Sequence, residues 1–295
     1  MNEKLLINCN EIIKEMKPLH GVCNGPLHKG NAIDESIFFR QLQPPFVRLH
    51  DVNWPYSREV DMHAVFPDFS KDPEDPDSYD FSMTDKYLKA IKDVGSDIIY
   101  RLGESIAPAD YKRFVNPPTD MEKWARICIG IIRHYNNGWA DGFHYDIKYW
   151  EIWNEPSVET MWTGTLEQYL EMYSAAAKAI RSYDSSLKIC GPVACSADRI
   201  TNEVFLKYIN SHLEVPHDVY TFHLYGHSVE NTKKYLSILN EAFEKYNKRD
   251  FDVFITEWNY APQTEDGEGF WETLAATKDI MVKSKLFRKI GSLEA

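Results

Sequence analysis

Two glutamates carry the clearest chemical signal in this sequence, because both stand at the end of an apolar segment. Glu155 follows residues 149–154, and Pro156 behind it is a residue that interrupts the hydrogen-bond ladder of a strand. Glu257 follows residues 252–256, and each glutamate is flanked by a tryptophan and an asparagine. Either glutamate alone would also fit a structural loop cap. The informative feature is therefore the repetition of one local pattern.

Two carboxyl groups that face each other across a cleft suit the hydrolysis of a glycosidic bond. One group stays protonated and donates to the leaving oxygen, and the other attacks the sugar or activates water. Side-chain alternation along a strand predicts that Glu151, Trp153 and Glu155 share one face, with Glu155 nearest the carboxyl end. The two glutamates can act together only if the surrounding elements bring both strand ends to one place.

The rest of the chain alternates short apolar segments with amphipathic helical segments. Strands are predicted at residues 19–24, 45–51, 98–103, 147–154, 187–193, 219–225 and 253–258. Helices are predicted at residues 84–94, 120–135, 166–182, 202–212, 231–246 and 270–287. Such alternation predicts an α/β fold with a parallel sheet, and seven strands alone would leave an edge open. An eighth strand begins near residue 290, so we expect a (β/α)8 TIM barrel that ends at or within strand 8.

Composition limits the classes of function. The 295 residues are 43% apolar, which predicts a folded chain, and we expect one catalytic domain, residues 1–295, truncated at its C-terminal end. The formal charge of −12, without a basic cluster, disfavours nucleic-acid binding. No apolar run approaches the ~18 residues of a membrane span, so no membrane partner is expected. Five cysteines without a Cys-x-x-Cys pair, and an N-terminus unlike a secretory signal, favour a cytoplasmic protein.

The glutamate segments resemble those of a known enzyme family. Residues 150–156, Trp-Glu-Ile-Trp-Asn-Glu-Pro, together with residues 255–258, Ile-Thr-Glu-Trp, look like clan A of the retaining glycoside hydrolases. Within that clan they look most like glycoside hydrolase family 39, which includes β-xylosidases and α-L-iduronidases. The resemblance runs from the first to the seventh predicted strand. It implies that Glu155 is the general acid/base, that Glu257 is the nucleophile and that Asn154 holds the sugar 2-hydroxyl.

Two further strand ends fit this resemblance. Arg48 and His50 share a face at the end of the second strand, where the resemblance implies an arginine close to the nucleophile. An adjacent cation lowers the pKa of a carboxyl group, although pairing of Arg48 with Glu151 inside the barrel is an equally simple interpretation. His50 would contact a sugar hydroxyl. His223 and Tyr225 share a face at the end of the sixth strand, where the resemblance implies residues that orient the nucleophile.

Three side chains are weaker candidates for substrate binding. Glu104, after the third strand, either binds a sugar hydroxyl or caps its loop. Trp54 and Trp162, in the loops after strands 2 and 4, fit either platforms for sugar stacking or ordinary packing. Residues 61–80 are rich in Asp and Pro and predict a solvated loop at the same end of the barrel rather than a calcium loop. The histidines lack paired metal-ligand spacing, so neither a metal nor a cofactor is expected.

These observations predict a hydrolase of carbohydrate metabolism that acts on a glycoside or oligosaccharide, with a xyloside or uronide favoured. Family 39 relatives often self-associate, so the resemblance also implies a homo-oligomer. One alternative is an endo-acting clan A glycanase of the glucanase or mannanase type. Another is a barrel that binds carbohydrate without catalysis. A metal-dependent hydrolase is disfavoured, because His20 is followed by Gly21-Val22 and not by a second histidine at the spacing such enzymes use.

Overall fold

The computed structural model describes residues 20–55, 58–195, 198–226, 229–246, 250–260 and 290–292 of the protein. The strands are β1 (Val22–Cys23), β2 (Leu27–His28), β3 (Ile33–Asp34), β4 (Phe46–Leu49), β5 (Asp97–Leu102), β6 (Tyr149–Ile152), β7 (Lys188–Ala194), β8 (Val219–Gly226), β9 (Asp252–Tyr260) and β10 (Ile290–Ser292). The helices are α1 (Ser36–Leu42), α2 (Met62–Val65), α3 (Ser82–Asp93), α4 (Met121–Asn137), α5 (Leu166–Tyr183), α6 (Arg199–Ser211) and α7 (Val229–Tyr246), with a 3₁₀ turn at Pro76–Ser78.

Eight strands form one parallel sheet in chain order, β1-β4-β5-β6-β7-β8-β9-β10. Because consecutive parallel strands need a crossover, the chain returns through helices on the outside of the sheet. This arrangement is a TIM barrel, so the predicted fold is confirmed. All carboxyl ends of the strands therefore lie at one mouth of the barrel. Strands β2 and β3 form a separate antiparallel hairpin between β1 and α1.

The predicted elements match the barrel strands and helices α3 to α7 within a few residues at each end. The eighth predicted strand corresponds to β10, and the predicted helix at 270–287 lies outside the described residues. Sequence patterns missed α1, α2 and the hairpin because such short elements show too little periodicity. Residues 61–80 contain α2 and the 3₁₀ turn rather than a fully solvated loop. Within the described ranges, no helix combines the length and apolar character needed to cross a bilayer.

Local sequence signals fix the helix ends that frame the site. Helix α5 begins at a capping box in which the side chains of Thr165 and Gln168 each accept a hydrogen bond from the other residue's backbone N–H. Helix α4 begins at Asp120, which accepts a hydrogen bond from the backbone of Lys123, and it ends at Gly138 with a φ of 73°. These caps set where the loops to the next strands begin.

The interior of the barrel is built in two layers. A small apolar cluster, formed by Ile99, Cys190, Val219 and Phe254 with Phe46 and Tyr149 packed against it, makes the lower layer. Residues two positions further along a strand point to the same face, nearer the mouth. By this rule Arg48 lies above Phe46, Arg101 above Ile99 and Glu151 above Tyr149. All three charged side chains are fully buried. A charged layer therefore lies directly above an apolar floor.

Strand β6 loses its regular alternation before it reaches Glu155. Trp153 has a φ of 69°, in the left-handed region, and its ring packs outward against Trp124 and Trp162. The predicted common face of Glu151, Trp153 and Glu155 is therefore wrong at Trp153. The ring of Trp153 also lies over Gly103, where an added Cβ would come within 2.8 Å of it. The close approach of these two strand ends requires glycine at position 103.

We expect Gly103→Ala to lower the free energy of unfolding by about 3 kcal/mol, because the methyl group would overpack against Trp153 and the backbone φ of 145° is unfavourable for alanine. Gly95→Ala is the matched control, since Gly95 has a φ of 87° and open space around it. The control should cost only about 1 kcal/mol. Urea denaturation of both variants measures the difference, and equal losses would contradict the packing argument.

Candidate active site

Arg48 is the centre of a hydrogen-bond network at the mouth of the barrel. Its guanidinium is fully buried and donates through Nε to Glu151 at 2.6 Å, through Nη1 to Glu257 at 2.7 Å and through Nη2 to Asn154 at 2.7 Å. Burial opposes the charged form, but the two carboxylates outweigh it and raise the pKa of Arg48 further. One buried cation therefore joins strand β4 to residues of β6 and β9.

Glu257 faces the mouth because strand β9 contains a bulge. In the pairing of β8 with β9, Phe222 lies opposite Ile255 and His223 lies opposite Glu257, so Thr256 is an extra residue. Regular alternation from the inward-facing Phe254 would point Glu257 away from the barrel axis. The bulge reverses this direction, which is a common use of bulges beside functional sites. It brings Glu257 to the same face as its partner His223.

The surroundings of Glu257 favour its ionised form. Burial alone would raise the pKa of Glu257, but the neighbouring His223 and Arg48 and the hydroxyl of Tyr225 lower it well below its ordinary value. The Tyr225 hydroxyl donates to Glu257 Oε2 at 2.7 Å, and Arg48 donates to the other oxygen, Oε1. Each carboxylate oxygen thus has a donor, which fixes the orientation of the group.

Glu155 reaches the same mouth from the turn that follows β6. Its φ is 39°, and its backbone N–H donates to the carbonyl of Val193 at 3.0 Å, so the strained turn is anchored to β7. One side-chain oxygen lies 2.6 Å from Nδ1 of His223, and that nitrogen is 3.5 Å from Glu257 Oε2. A carboxylate oxygen of Glu155 and one of Glu257 lie within 4.8 Å of each other.

His50 and Cys23 complete the buried walls near Glu257. Burial lowers the pKa of His50 well below its ordinary value, although the charge of Glu257 opposes that change. Both ring nitrogens of His50 lack a hydrogen-bond partner among the described residues, and Nε2 lies 3.3 Å from Asp51 Oδ1. Cys23 donates from Sγ to the carbonyl of Thr256 at 3.2 Å, and burial raises the pKa of its thiol to about 12. This thiol is therefore a neutral packing group beside the bulge.

The network connects side chains from β1, β4, β6, β8 and β9 at the carboxyl ends of their strands, where TIM barrels bind and transform substrates. The model of the family described as Glycosyl hydrolases family 39 matches residues 3–262. The chain belongs to glycosyl hydrolase family 39.

Known relatives of this family 39 chain are longer proteins. A β-xylosidase from Caldicellulosiruptor saccharolyticus is 25% identical, over 89% of this chain and 57% of its own length. A β-xylosidase from Geobacillus stearothermophilus is 24% identical, over 69% of this chain and 40% of its own length. The crystal structure of a glucosidase from Croceicoccus marinus superposes with a TM-score of 0.80 and 27% identity, over 96% of this chain and 61% of that one. The chain thus spans less than two thirds of each relative.

Most of the predicted site residues of this family 39 chain meet in one network. Hydrogen bonds or close contacts connect Arg48, Asn154, Glu155, His223, Tyr225 and Glu257. His50 lies close enough to Glu257 for the carboxylate to oppose the lowering of the pKa of His50 by burial. Arg48 both lies close to Glu257 and pairs with Glu151 inside the barrel, because the same guanidinium bonds both carboxylates. The roles of these residues in catalysis and substrate binding remain predictions.

Glu104 and Trp54 lie together in a neighbouring cleft. Glu104 is buried and accepts hydrogen bonds on both oxygens, from the backbone N–H of His63 at 2.9 Å and from its Nδ1 at 2.5 Å. Burial raises the pKa of Glu104 to about 7, although the hydrogen bond from His63 lowers it. The same cleft is lined by Asp61, which accepts a 2.7 Å hydrogen bond from the buried Arg101. Glu104 therefore caps the loop that contains His63 and also lines the cleft.

Of the two interpretations of Trp162, a platform for sugar stacking or ordinary packing, the structure agrees with packing. Its side chain is only 2% exposed and packs edge to face against Trp153, with Nε1 donating to the carbonyl of Thr165. A ring enclosed in this way presents no free face to a sugar. The sequence left both interpretations open because a loop sequence does not reveal whether its aromatic residue turns inward or outward.

Sequence reasoning also missed Asp61, His63 and Arg101. Arg101 gave a usable signal, because it stands two residues after the inward-facing Ile99 in an otherwise apolar strand and therefore requires a buried counter-charge. Its partner, Asp61, lies in an acid-rich stretch whose other aspartates are exposed, so the composition of the stretch gave no sign that Asp61 is buried. The role of His63 depends on helix α2, which was not predicted.

In the part of the chain that the structure describes, two groups of side chains have the atom types and spacing of a metal site. The first comprises Asp61, His63 and Glu104, and the second comprises Glu155, His223 and Glu257. In the first group, Asp61 already bonds Arg101 and both oxygens of Glu104 bond His63. In the second group, Arg48 and Tyr225 occupy the oxygens of Glu257. The protein itself therefore already bonds Asp61, Glu104 and Glu257 in these two groups.

We expect Glu151→Ala to destabilise the protein by about 3 kcal/mol, because it removes one carboxylate from the buried guanidinium of Arg48. Glu74→Ala is the control, since Glu74 bonds Arg133 in an ion pair whose glutamate side chain is 58% exposed. That pair should contribute less than about 1 kcal/mol. Thermal unfolding followed by circular dichroism compares the variants. A loss no greater than that of the control would disprove the dependence of the charged layer on Glu151.

Proposed function

We propose that this protein is a retaining glycosidase that cleaves O-glycosidic bonds with Glu257 as nucleophile and Glu155 as general acid/base. The observation that carries the proposal is the pair of carboxyl groups at one mouth, with oxygens within 4.8 Å of each other. Retaining enzymes hold their two carboxyl groups about 5–5.5 Å apart, whereas inverting enzymes need about 6.5–9.5 Å to admit water. The close spacing supports double displacement.

The environments of the two glutamates support different roles. Arg48 and Tyr225 hold Glu257 ionised and oriented, as a nucleophile requires. In the first step, a Glu257 oxygen bonds to the anomeric carbon while the glycosidic bond breaks, and Glu155 transfers its proton to the leaving oxygen. In the second step, Glu155 takes a proton from water, whose oxygen bonds to the anomeric carbon and releases Glu257.

Asn154 is suited to the sugar 2-hydroxyl that the mechanism uses. Its side-chain oxygen accepts a hydrogen bond from Arg48, which fixes the amide plane. Its Nδ2 is buried and has no hydrogen-bond partner among the described residues. An unsatisfied buried donor beside both carboxyl groups is a natural partner for a hydroxyl oxygen, because leaving it unpaired costs about 1–3 kcal/mol. The ring nitrogens of His50 offer a second such contact.

A xyloside or uronide is the proposed substrate. The curated relatives named β-xylosidases favour the xyloside, and the relative named a glucosidase adds a glucoside to the test panel. The competing functions are an endo-acting glucanase or mannanase, and a carbohydrate-binding barrel without catalysis. Cytoplasmic location, self-association and a single catalytic domain remain predictions from the sequence.

Glu257→Ala should abolish turnover of the aryl glycoside that the wild type hydrolyses, because no covalent intermediate can form. Added azide should restore release of the aryl group and give a glycosyl azide of inverted configuration. The panel comprises 4-nitrophenyl xylosides, glucosides, glucuronides and mannosides, followed by absorbance and by NMR of the product. Hydrolysis that persists in Glu257→Ala, or a wild type that binds xylo-oligosaccharides and cleaves none of them, would contradict the mechanism.

The acid limb of the pH profile should report the ionisation of Glu257. Tyr225→Phe removes a donor to the ionised carboxylate, so the pKa of Glu257 should rise and the acid limb of kcat/KM should move to higher pH by about one unit. Tyr183→Phe is the control, because its exposed hydroxyl bonds Asn137 at the opposite end of the barrel. A lowered rate with an unmoved acid limb would rule out this role for Tyr225.

A further inference from the structure

A second cleft of about 260 Å³ opens beside the catalytic mouth, between the loops that follow β4 and β5. Its walls carry three of the large exposed aromatic side chains of the protein: Trp54 is 46% exposed, Tyr111 is 79% exposed and Phe114 is 48% exposed. Aromatic rings that combine solvent exposure with a defined cleft are typical of ligand sites rather than of packing. The volume lies below the roughly 300–1,000 Å³ of drug-sized pockets, which suits one small ring.

The cleft is polar at its inner end. Glu104 is only 6% exposed, and it holds His63 through both of its oxygens. The His63 ring in turn stacks on Phe114, with centroids 3.8 Å apart and planes 3° from parallel. A buried carboxylate therefore fixes one aromatic wall of the cleft and presents polar atoms beside it. Flat apolar walls with a few fixed polar groups match a sugar ring, which has apolar faces and an edge of hydroxyls.

Hydrogen bonds connect Trp54 in this cleft to Asp51, which lies beside His50. Trp54 donates from Nε1 to the carbonyl of Ile106 at 3.3 Å, and the backbone N–H of Ile106 donates to Asp51 at 2.8 Å. The same Asp51 oxygen lies 3.3 Å from Nε2 of His50. The charge of Glu257 acts on both His50 and Asp51. The cleft therefore adjoins Asp51 and His50, which lie near Glu257, the carboxylate that bonds to the glycone in the proposed mechanism.

We propose that this cleft binds a second sugar ring of the substrate, on the glycone side of the cleaved bond, with Trp54 as its stacking platform and Glu104 and His63 as its hydrogen-bonding edge. The proposal rests on the proposed glycosidase function and deepens it. It makes an oligosaccharide, or a disaccharide unit attached to a leaving group, a better substrate than a single sugar with the same leaving group. No cation is needed in the cleft, because Arg101 and His63 already balance Asp61 and Glu104.

The test compares two substrates that differ only in the glycone, 4-nitrophenyl β-xyloside and 4-nitrophenyl β-xylobioside. For the wild type, kcat/KM should be about tenfold higher with the xylobioside, since one stacked and hydrogen-bonded ring adds transition-state binding. In Trp54→Ala this ratio should fall toward one, and Glu104→Gln should lower it as well. Tyr183→Ala, which removes an exposed aromatic ring at the opposite end of the barrel, should leave the ratio unchanged.

Failure of this proposal is separable from failure of the proposed function. Azide rescue of Glu257→Ala with the xyloside reports the nucleophile and does not depend on the ratio between the substrates. A wild-type ratio near one, or a ratio that Trp54→Ala leaves intact, would overturn the second subsite while the nucleophile stands. If neither compound is hydrolysed, calorimetry of Glu257→Gln decides the matter. Xylobiose must then bind at least about tenfold more tightly than xylose, and Trp54→Ala must remove that preference.

Discussion

The buried guanidinium of Arg48 is the interaction on which the catalytic mouth depends. A charge taken out of water costs several kcal/mol unless it is paired and hydrogen-bonded, and this one is bonded by Glu151, Asn154 and Glu257. Two of the three acceptors come from the end of β6 and the third comes from β9, and strands β7 and β8 lie between them in the sheet. Satisfying one cation therefore fixes the positions of side chains that are distant in sequence. The site is organised by the charged layer of the barrel rather than by its loops.

The barrel determines where the glutamates lie, and two irregularities determine where they point. Regular alternation in β9 would turn Glu257 outward, and the extra residue Thr256 turns it inward, opposite His223. Directly after β6, the left-handed conformation of Trp153 sends its ring into the core and leaves Glu155 at the mouth. Such conformations persist only where the surroundings enforce them. Packing of Trp153 over Gly103 and the anchoring of Glu155 to β7 provide that enforcement.

These irregularities mark the limit of prediction from the sequence. Alternation of apolar strands and amphipathic helices was sufficient to predict the barrel, because burial of one face imposes an apolar pattern on every element. Strand ends, together with the resemblance to clan A glycosidases, were sufficient to nominate Arg48, His223 and Tyr225, because parallel strands deliver their carboxyl ends to one mouth. The direction of Trp153 and the burial of Trp162 were not predictable. Both depend on contacts between loops and helices that leave no periodic trace in the sequence.

The charge of the network has a consequence for the proposed mechanism. When Glu151 and Glu257 are both ionised, they share the single positive charge of Arg48, so these three side chains together carry one more negative charge than positive. In glycoside hydrolysis, positive charge develops at the anomeric carbon as the leaving group departs. In its transition state, a sugar at the mouth would supply the positive charge that balances Arg48, Glu151 and Glu257. Because the surrounding dipoles are already fixed, this complementarity requires no rearrangement and stabilises the transition state more than the bound substrate.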